Sequence, residues 1–165
     1  MTADSDRYAR RMVDLRALPA DDPVSRELLT DYFAMRGTAF PGQYRPVFPE
    51  RAVFEPPAGV FVVVFDGERA VGCGGIRRVV DGPSGIRYEV KHLYLAPETR
   101  GRGWGRRLLD DLERRAREWD AGELVLDTHH TLEAAGGLYT ASGFTPIEPY
   151  NDNPNATRWY GKRLT

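Results

Sequence analysis

Residues 100–106 of this 165-residue sequence read Arg100-Gly101-Arg102-Gly103-Trp104-Gly105-Arg106. They follow a strand-like segment and open an amphipathic one, in which Trp104, Leu108 and Leu112 recur on one helical face. Glycines let a backbone approach a ligand closely, and the first turn of a helix offers free N–H groups at its positive end. The flanking arginines add charge and hydrogen-bond donors. This turn therefore predicts a site for a phosphate or pyrophosphate group.

Two familiar nucleotide motifs do not match this turn. The dinucleotide fingerprint G-x-G-x-x-G needs a third glycine at the position of Arg106, and the nucleoside-triphosphate loop needs G-K-[ST], which is absent. A connector of glycines with solvated arginines, binding no ligand, is the remaining alternative. The positive cluster, in a chain whose formal net charge is only -1, favours a small anionic ligand.

Antiparallel strands are predicted before the turn. The apolar runs that form them are Val60–Phe65, Ala70–Val80 and Ile86–Leu95, joined by short turns. After the turn, a helix and a buried strand at Leu124–Leu126 complete a strand-helix-strand passage. Such a passage predicts one parallel pair within a mixed sheet.

The ends of the chain supply further elements. The sequence predicts a first strand at Met12–Leu18 and a helix that begins at Asp22-Pro23. From Gly37 to Gly59 it predicts loop with at most a short helix. A later helix at Thr131–Ala141 ends at Ser142-Gly143, and the predicted closing strands are Phe144–Ile147 and Arg158–Leu164. The fold class is therefore α/β of the α+β type, with a mixed, mostly antiparallel twisted sheet and helices on both faces.

Length and composition predict one domain over residues 1–165, with residues 1–11 flexible. A composition of 41% hydrophobic and 28% charged residues is typical of a globular protein. Neither nucleic acid nor a membrane is expected as a partner, because net charge is near zero and no apolar run approaches about 20 residues. The single cysteine, Cys73, excludes a disulfide framework. Residues 1–11 lack the apolar core of a signal peptide, so a cytoplasmic protein is expected.

The turn also resembles the acetyl-CoA signature of the GNAT superfamily, [RQ]-x-x-G-x-[GA], which follows a strand and a proline. Here Arg100, Gly103 and Gly105 match that signature, after Leu93-Tyr94-Leu95-Ala96-Pro97. The second block of the family, a tyrosine shortly before Gly-Phe, is matched by Leu138-Tyr139-Thr140-Ala141-Ser142-Gly143-Phe144. Both blocks occur in the family's order and spacing.

This resemblance implies a GNAT-like fold and an enzyme that transfers an acetyl group from acetyl-CoA to a primary amine, by direct transfer in a ternary complex. It implies that Tyr139 protonates the departing CoA thiolate, and that Glu89 serves as base directly or through water. No metal is required. The residues implied to bind acetyl-CoA are Leu93, Tyr94, Leu95, Arg100, Gly101, Arg102, Gly103, Trp104, Gly105 and Arg106.

The proposed catalytic residues have structural alternatives. Tyr139 is also explained as a core tyrosine with its hydroxyl satisfied. Glu89 is also explained by an ion pair with Lys91, since alternation places Glu89, Lys91, Leu93 and Leu95 on one strand face. His92 is the reserve base. The family often has an asparagine at the position of Leu132, so the resemblance does not extend to that contact with CoA.

Other functions and acceptors stay open at this level. A non-catalytic acyl-CoA-binding or sensing module would need the same cofactor residues, and a nucleotide-dependent enzyme could use a similar scaffold. The expected acceptor is a small molecule, with a protein or peptide amine as the alternative. The segments expected to line its site are Tyr32–Tyr44 and Tyr150–Asn155. A homodimer is also left open.

Overall fold

The computed structural model describes residues 13–42 and 44–165, so the predicted flexibility of residues 1–11 lies outside the described residues. This part of the chain contains seven strands and three α-helices. In order, they are β1 (Val13–Ala17), α1 (Pro23–Ala39), β2 (Gly59–Asp66), β3 (Arg69–Gly82), β4 (Gly85–Leu95), α2 (Trp104–Glu118), β5 (Glu123–Thr128), α3 (Glu133–Ala141), β6 (Thr145–Pro146) and β7 (Arg158–Arg163). Strands β2, β3 and β4 follow one another directly.

The strands form one mixed sheet in the order β1-β2-β3-β4-β5-β7-β6. Short turns join β2 to β3 and β3 to β4, and these pairs are antiparallel. The pair β4–β5 is parallel, because α2 carries the chain back between the two strands. The predicted α/β class, with its mixed and mostly antiparallel sheet, is confirmed.

Helices cover both faces of the sheet, as predicted. The continuous apolar run of β2 is explained by burial on both faces. Val60, Val62 and Val64 join the core beneath α2 and α3. Phe61, Val63 and Phe65 join the second core beneath α1. The sheet is therefore the middle layer of three.

Local signals set the helix ends. The Asp22 side chain accepts a hydrogen bond from the Val24 N–H at 2.9 Å, with Pro23 in the first turn, as the sequence predicts. Helix α1 nevertheless runs to Ala39 and so passes the predicted boundary at Gly37, a position where a Cβ would meet nothing within 4 Å. A short 3₁₀ turn, Arg51–Phe54, lies in the segment predicted as loop with at most a short helix. None of the helices in the described ranges is long and apolar enough to cross a membrane.

An irregularity in β4 changes which side chains share a face. Cys73 pairs with Tyr94 and Gly75 with Lys91, so β4 carries one more residue than β3 between these pairs. The extra residue lies at His92, whose φ is 58°. Leu93 and Leu95 therefore pack on the α2 face together with Val90. The prediction that they share a face with Glu89 and Lys91 is wrong, because a bulge reverses the alternation beyond it.

Candidate active site

Strands β4 and β5 separate after a short parallel contact. Arg87–Glu89 pair with Glu123–Val125, and beyond this point β5 pairs with β7 while β4 pairs with β3. The edge of β4 that faces β5 has no strand partner over 90–95 among the described strands. A cavity of about 1020 Å³ opens at this edge, and residues 90–95 all line it. Free N–H and C=O groups along a strand edge can pair with an extended ligand.

The glycine-rich turn closes one end of this cavity. Gly103 precedes α2 with φ 80° and no side-chain cap, and Gly101 also has φ 80°. A Cβ at either position would meet nothing within 4 Å, so the backbone conformation, not crowding, requires glycine there. The first N–H groups of α2 have no partner within the helix and are available to an anion.

The arginines of the turn have different surroundings. Arg100 and Arg106 line the cavity together with Gly101, Gly103, Trp104 and Gly105. The Arg100 Nε donates to the Leu95 carbonyl at 3.3 Å, and the Arg106 Nη1 donates to the Ala141 carbonyl at 3.0 Å. These bonds attach the turn to β4 and to α3. Arg102 does not line the cavity; its guanidinium lies 5.2 Å from the centre of the Trp104 ring.

Tyr139 combines a buried ring with access to the cavity. The residue is 7% exposed, its ring lies 6.1 Å from those of Phe144 and Tyr160, and it lines the cavity. Its hydroxyl forms none of the hydrogen bonds found among the described residues, and the side chain lines the cavity. Burial raises the pKa of this hydroxyl above its ordinary value, so Tyr139 is protonated at neutral pH. A protonated hydroxyl beside a cavity can act as a general acid.

Glu89 lies behind the wall of the cavity and does not line it. It is 1% exposed and accepts hydrogen bonds at both carboxylate oxygens. Oε1 accepts from Arg77 Nε at 2.8 Å, and Oε2 accepts from the Tyr150 hydroxyl at 2.6 Å and Asn151 Nδ2 at 3.4 Å. The alternative ion pair with Lys91 is wrong, because Arg77, directly opposite on β3, takes that place.

Three carboxylates line the cavity, and Asp127, which the sequence analysis did not select, is the buried one, whereas Glu50 and Glu133 are exposed. The Asp127 side chain is 6% exposed, and the Lys91 ammonium lies 3.7 Å from Oδ1. Asn151 donates to Oδ2 at 2.7 Å and Asn153 donates to Oδ1 at 3.1 Å. Asn151 therefore lies between the two carboxylates of Asp127 and Glu89. The available signal was a carboxylate directly after the buried strand Leu124–Leu126, where ligands of α/β sheets commonly bind.

His92 lies at the bulge, in the wall of the same cavity. Its ring centre is 5.7 Å from that of Tyr32, 5.8 Å from Phe33 and 5.9 Å from Phe54. The buried Nδ1 has no hydrogen-bond partner in the described chain. Burial, with the positive charges of Lys91 and nearby arginines, lowers the pKa of His92 to about 3. The imidazole is therefore neutral at physiological pH.

The two segments expected to line the acceptor site meet across the cavity. Arg36 Nη2 donates to the Asn155 carbonyl at 2.9 Å, and the Arg45 N–H donates to Asn155 Oδ1 at 3.2 Å. No group of three or more His, Cys, Asp or Glu side chains among the described residues could hold a metal ion. One cavity thus joins the uncapped first turn of α2, an open strand edge, a protonated tyrosine, a buried carboxylate and a neutral histidine.

Curated relatives of this chain are acetyltransferases by name. An IAA acetyltransferase from Azospirillum brasilense is 30% identical over 142 residues, which cover 84% of this chain and 90% of that protein. An uncharacterised N-acetyltransferase from Schizosaccharomyces pombe is 35% identical over 102 residues. That match spans 61% of this chain and 61% of the yeast protein.

Solved structures share the fold. A protein from Klebsiella pneumoniae, classed provisionally as an acyl-CoA N-acyltransferase, is 28% identical with a TM-score of 0.73, over 93% of this chain and 99% of that one. The PaiA N-acetyltransferase from Thermoplasma acidophilum, solved with coenzyme A, is 16% identical with a TM-score of 0.72, over 92% and 99%. The acetyltransferase (GNAT) family matches residues 23–144. With that match over most of its length, this chain belongs to the acetyltransferase (GNAT) family.

Proposed function

We propose that this protein, as one domain over residues 1–165, transfers the acetyl group of acetyl-CoA to a primary amine of a small molecule. The observation that carries the proposal is the open edge of β4, which leads in a single cavity to the uncapped first turn of α2. A strand edge suits the amide-bearing pantetheine arm, and the helix N-terminus suits the pyrophosphate. The PaiA enzyme, which shares this fold, was solved with coenzyme A, and this supports a CoA ligand.

In the proposed complex the pantetheine arm pairs with the backbone of Leu93–Leu95, and the pyrophosphate binds the N–H groups of residues 100–106. Arg100 and Arg106 position this turn and add positive charge. The cavity volume of about 1020 Å³ accommodates the arm and an acceptor together, which direct transfer in a ternary complex requires.

The transfer forms one bond and breaks one. The neutral amine nitrogen attacks the thioester carbonyl carbon, and a backbone N–H of the open β4 edge stabilises the oxyanion. The C–N bond forms, the C–S bond breaks, and the departing thiolate takes the proton of the Tyr139 hydroxyl. The amine gives up its proton to a base, which completes the balance.

We assign the base to Asp127, because it is the buried carboxylate among those that line the cavity, whereas Glu89 does not line it. Asp127 takes the proton directly or through one water molecule. A base role for Glu89 requires a relay past Asn151, which bonds to both carboxylates. Glu89 is better explained as the buried charge that, with Arg77, orients Tyr150 and Asn151.

Binding and turnover experiments test the proposal together. Thermal shift with acetyl-CoA, ATP and NAD separates an acyl-CoA protein from a nucleotide-dependent enzyme. A panel of amines, including amino acids, polyamines, aminoglycosides and peptides with free N-termini, is then assayed by CoA release. Stabilisation by acetyl-CoA with turnover of a small amine supports the proposal. Stabilisation without turnover of any amine would indicate a binding or sensing module.

A further inference from the structure

A buried cation on the acceptor side of the cavity has no ion-pair partner among the described residues. Arg36, on α1, is only 6% exposed and lines the cavity. Its guanidinium donates to the Tyr32 hydroxyl at 3.4 Å and to the Asn155 carbonyl at 2.9 Å. In the described part of the chain, no carboxylate lies within ion-pair distance of it. Buried charges in proteins are normally paired. The Arg36 guanidinium is therefore suited to bind an anionic group of a ligand in the cavity.

The guanidinium keeps donors for such an anion. An arginine has five N–H donors in a planar fork, and the named hydrogen bonds of Arg36 use only part of them. One face is covered by the Tyr44 ring, whose centre lies 5.1 Å from the guanidinium carbon. Its contacts with Tyr44 and Asn155 hold the side chain in place, which suits recognition of a planar carboxylate.

This cation is close to the groups proposed for catalysis. The positive charge of Arg36 and the negative charge of Asp127 both act on the pKa of the Tyr139 hydroxyl, in opposite directions. All three residues line one cavity. An acceptor bound in this cavity can therefore reach both the cation and the groups proposed for catalysis.

The remaining wall on this side is largely apolar. Phe33 and Phe48 pack edge to face, with ring centres 4.9 Å apart, and both line the cavity. Phe48 and Val47 are unusually exposed apolar residues, at 39% and 74%, and they lie at the same cavity. Apolar surface that remains accessible beside a polar anchor is typical of a site for a ligand with an apolar body.

We propose that the acceptor is an amino carboxylic acid with an apolar side chain, whose carboxylate binds Arg36 while its amine faces Asp127 and Tyr139. This assignment rests on the proposed function and narrows its acceptor class. It excludes polyamines and aminoglycosides as preferred acceptors, since they carry no carboxylate.

The test compares matched acceptors on the wild-type protein. Each pair consists of an apolar amino acid and its primary amide, for example phenylalanine with phenylalaninamide and leucine with leucinamide. CoA release should show kcat/KM at least about tenfold higher for the acid than for the amide, because hydrogen bonds to charged groups are strong. Equal or better use of the amides would overturn the acceptor class while leaving acetyl transfer intact.

Substitutions then assign the preference to one side chain. Arg36→Met should reduce kcat/KM for the acids by about 10- to 100-fold and leave the amides and the KM for acetyl-CoA unchanged. Arg36→Lys keeps the positive charge but not the planar fork of N–H donors. Its kcat/KM for the acids should lie between those of the wild type and Arg36→Met. Arg45→Met is the matched control, because Arg45 lines the same cavity but is exposed.

Other results would overturn the assignment. Equal losses of kcat/KM for acids and amides in Arg36→Met would indicate that Arg36 has a structural role, connecting α1 to Asn155. A raised KM for acetyl-CoA in Arg36→Met would indicate that the anion bound by Arg36 is a phosphate of CoA. If Arg36→Met does not fold, the comparison of acids with amides on the wild-type protein still tests the proposed acceptor class. If no amine is turned over, the proposed acetyl transfer fails, but the carboxylate site can still be tested. Calorimetry then measures binding of each acid and its amide to the protein–CoA complex. Equal affinities of the acid and the amide would refute the carboxylate site.

Discussion

Replacing Tyr139 by phenylalanine should separate catalysis from stability. The ring, which is 7% exposed and packs against Phe144 and Tyr160, is retained. The hydroxyl has no hydrogen-bond partner in the described chain, so its removal gives up none of the roughly 1 kcal/mol that such a bond contributes. The free energy of unfolding should therefore change by less than about 0.5 kcal/mol.

The chemical step, in contrast, should slow strongly. General acid catalysis contributes about 10²- to 10⁴-fold, which corresponds to about 2.7–5.4 kcal/mol on the activation barrier. Burial raises the pKa of Tyr139, so its proton is present throughout the neutral range and the loss should not depend on pH there. The KM for acetyl-CoA should change little, because the hydroxyl is proposed to act only on the departing thiolate.

Single-turnover measurement of acetyl transfer isolates the chemical step from product release, and urea unfolding gives the stability. Tyr160→Phe is the matched control, because Tyr160 is buried in the same cluster, with its ring 6.1 Å from that of Tyr139, but does not line the cavity. A single-turnover rate for Tyr139→Phe within about threefold of wild type, or an equal fall in Tyr160→Phe, would refute the acid role.

Three further predictions concern the turn, the histidine and the carboxylates. Gly103→Ala should cost about 1–2 kcal/mol by urea unfolding and weaken acetyl-CoA binding by calorimetry, because φ is 80° there. Gly37→Ala, at a helical position where a Cβ meets nothing within 4 Å, should instead raise the free energy of unfolding by about 0.5–1 kcal/mol. Equal changes in stability for the two variants would contradict the backbone strain assigned to Gly103. Burial holds the pKa of His92 in the folded protein at about 3, whereas its ordinary value is 6.5. The unfolded chain therefore binds more protons than the folded protein below pH 6.5. The stability that is present above that pH is lost as the pH falls. From pH 7.5 to 5.0 this loss is about 2 kcal/mol by urea unfolding, and His92→Phe should abolish it; parallel curves for both proteins would refute this. Asp127→Asn should lose activity most at neutral pH and recover as pH rises toward the pKa of the acceptor amine, whereas Glu89→Gln should mainly lose about 1–3 kcal/mol of stability. The reverse pattern in pH–rate profiles would return the base role to Glu89.

Short-range signals predicted the elements of the fold. The start of α1 at Asp22-Pro23 and the end of α3 before Gly143 depend on interactions within a few residues. The antiparallel pairs followed from turns too short for a crossover, and the parallel pair β4–β5 followed from the helix between the strands. The glycine-rich turn was also local, since its backbone conformation is encoded by its own glycines.

The arrangement of the site depended on contacts between distant residues. The bulge at His92 exists only in the pairing of β4 with β3, and one extra residue reversed the faces of Leu93 and Leu95. Glu89 pairs with Arg77, twelve positions away, because the register places them opposite each other.

By itself, the sequence determined the class of fold, the turn proposed to hold a phosphate and the tyrosine proposed as acid, since each is carried by a contiguous motif. The tertiary structure decided that Asp127 lines the cavity as a buried carboxylate and that Glu89 does not line it. It also placed Arg36 beside Asn155, 119 positions along the chain, as a buried cation without an ion-pair partner in the described chain. Burial and charge pairing are properties of the packed molecule, because they depend on what the rest of the chain brings near a side chain. A linear pattern fixes the backbone locally but leaves those neighbours open.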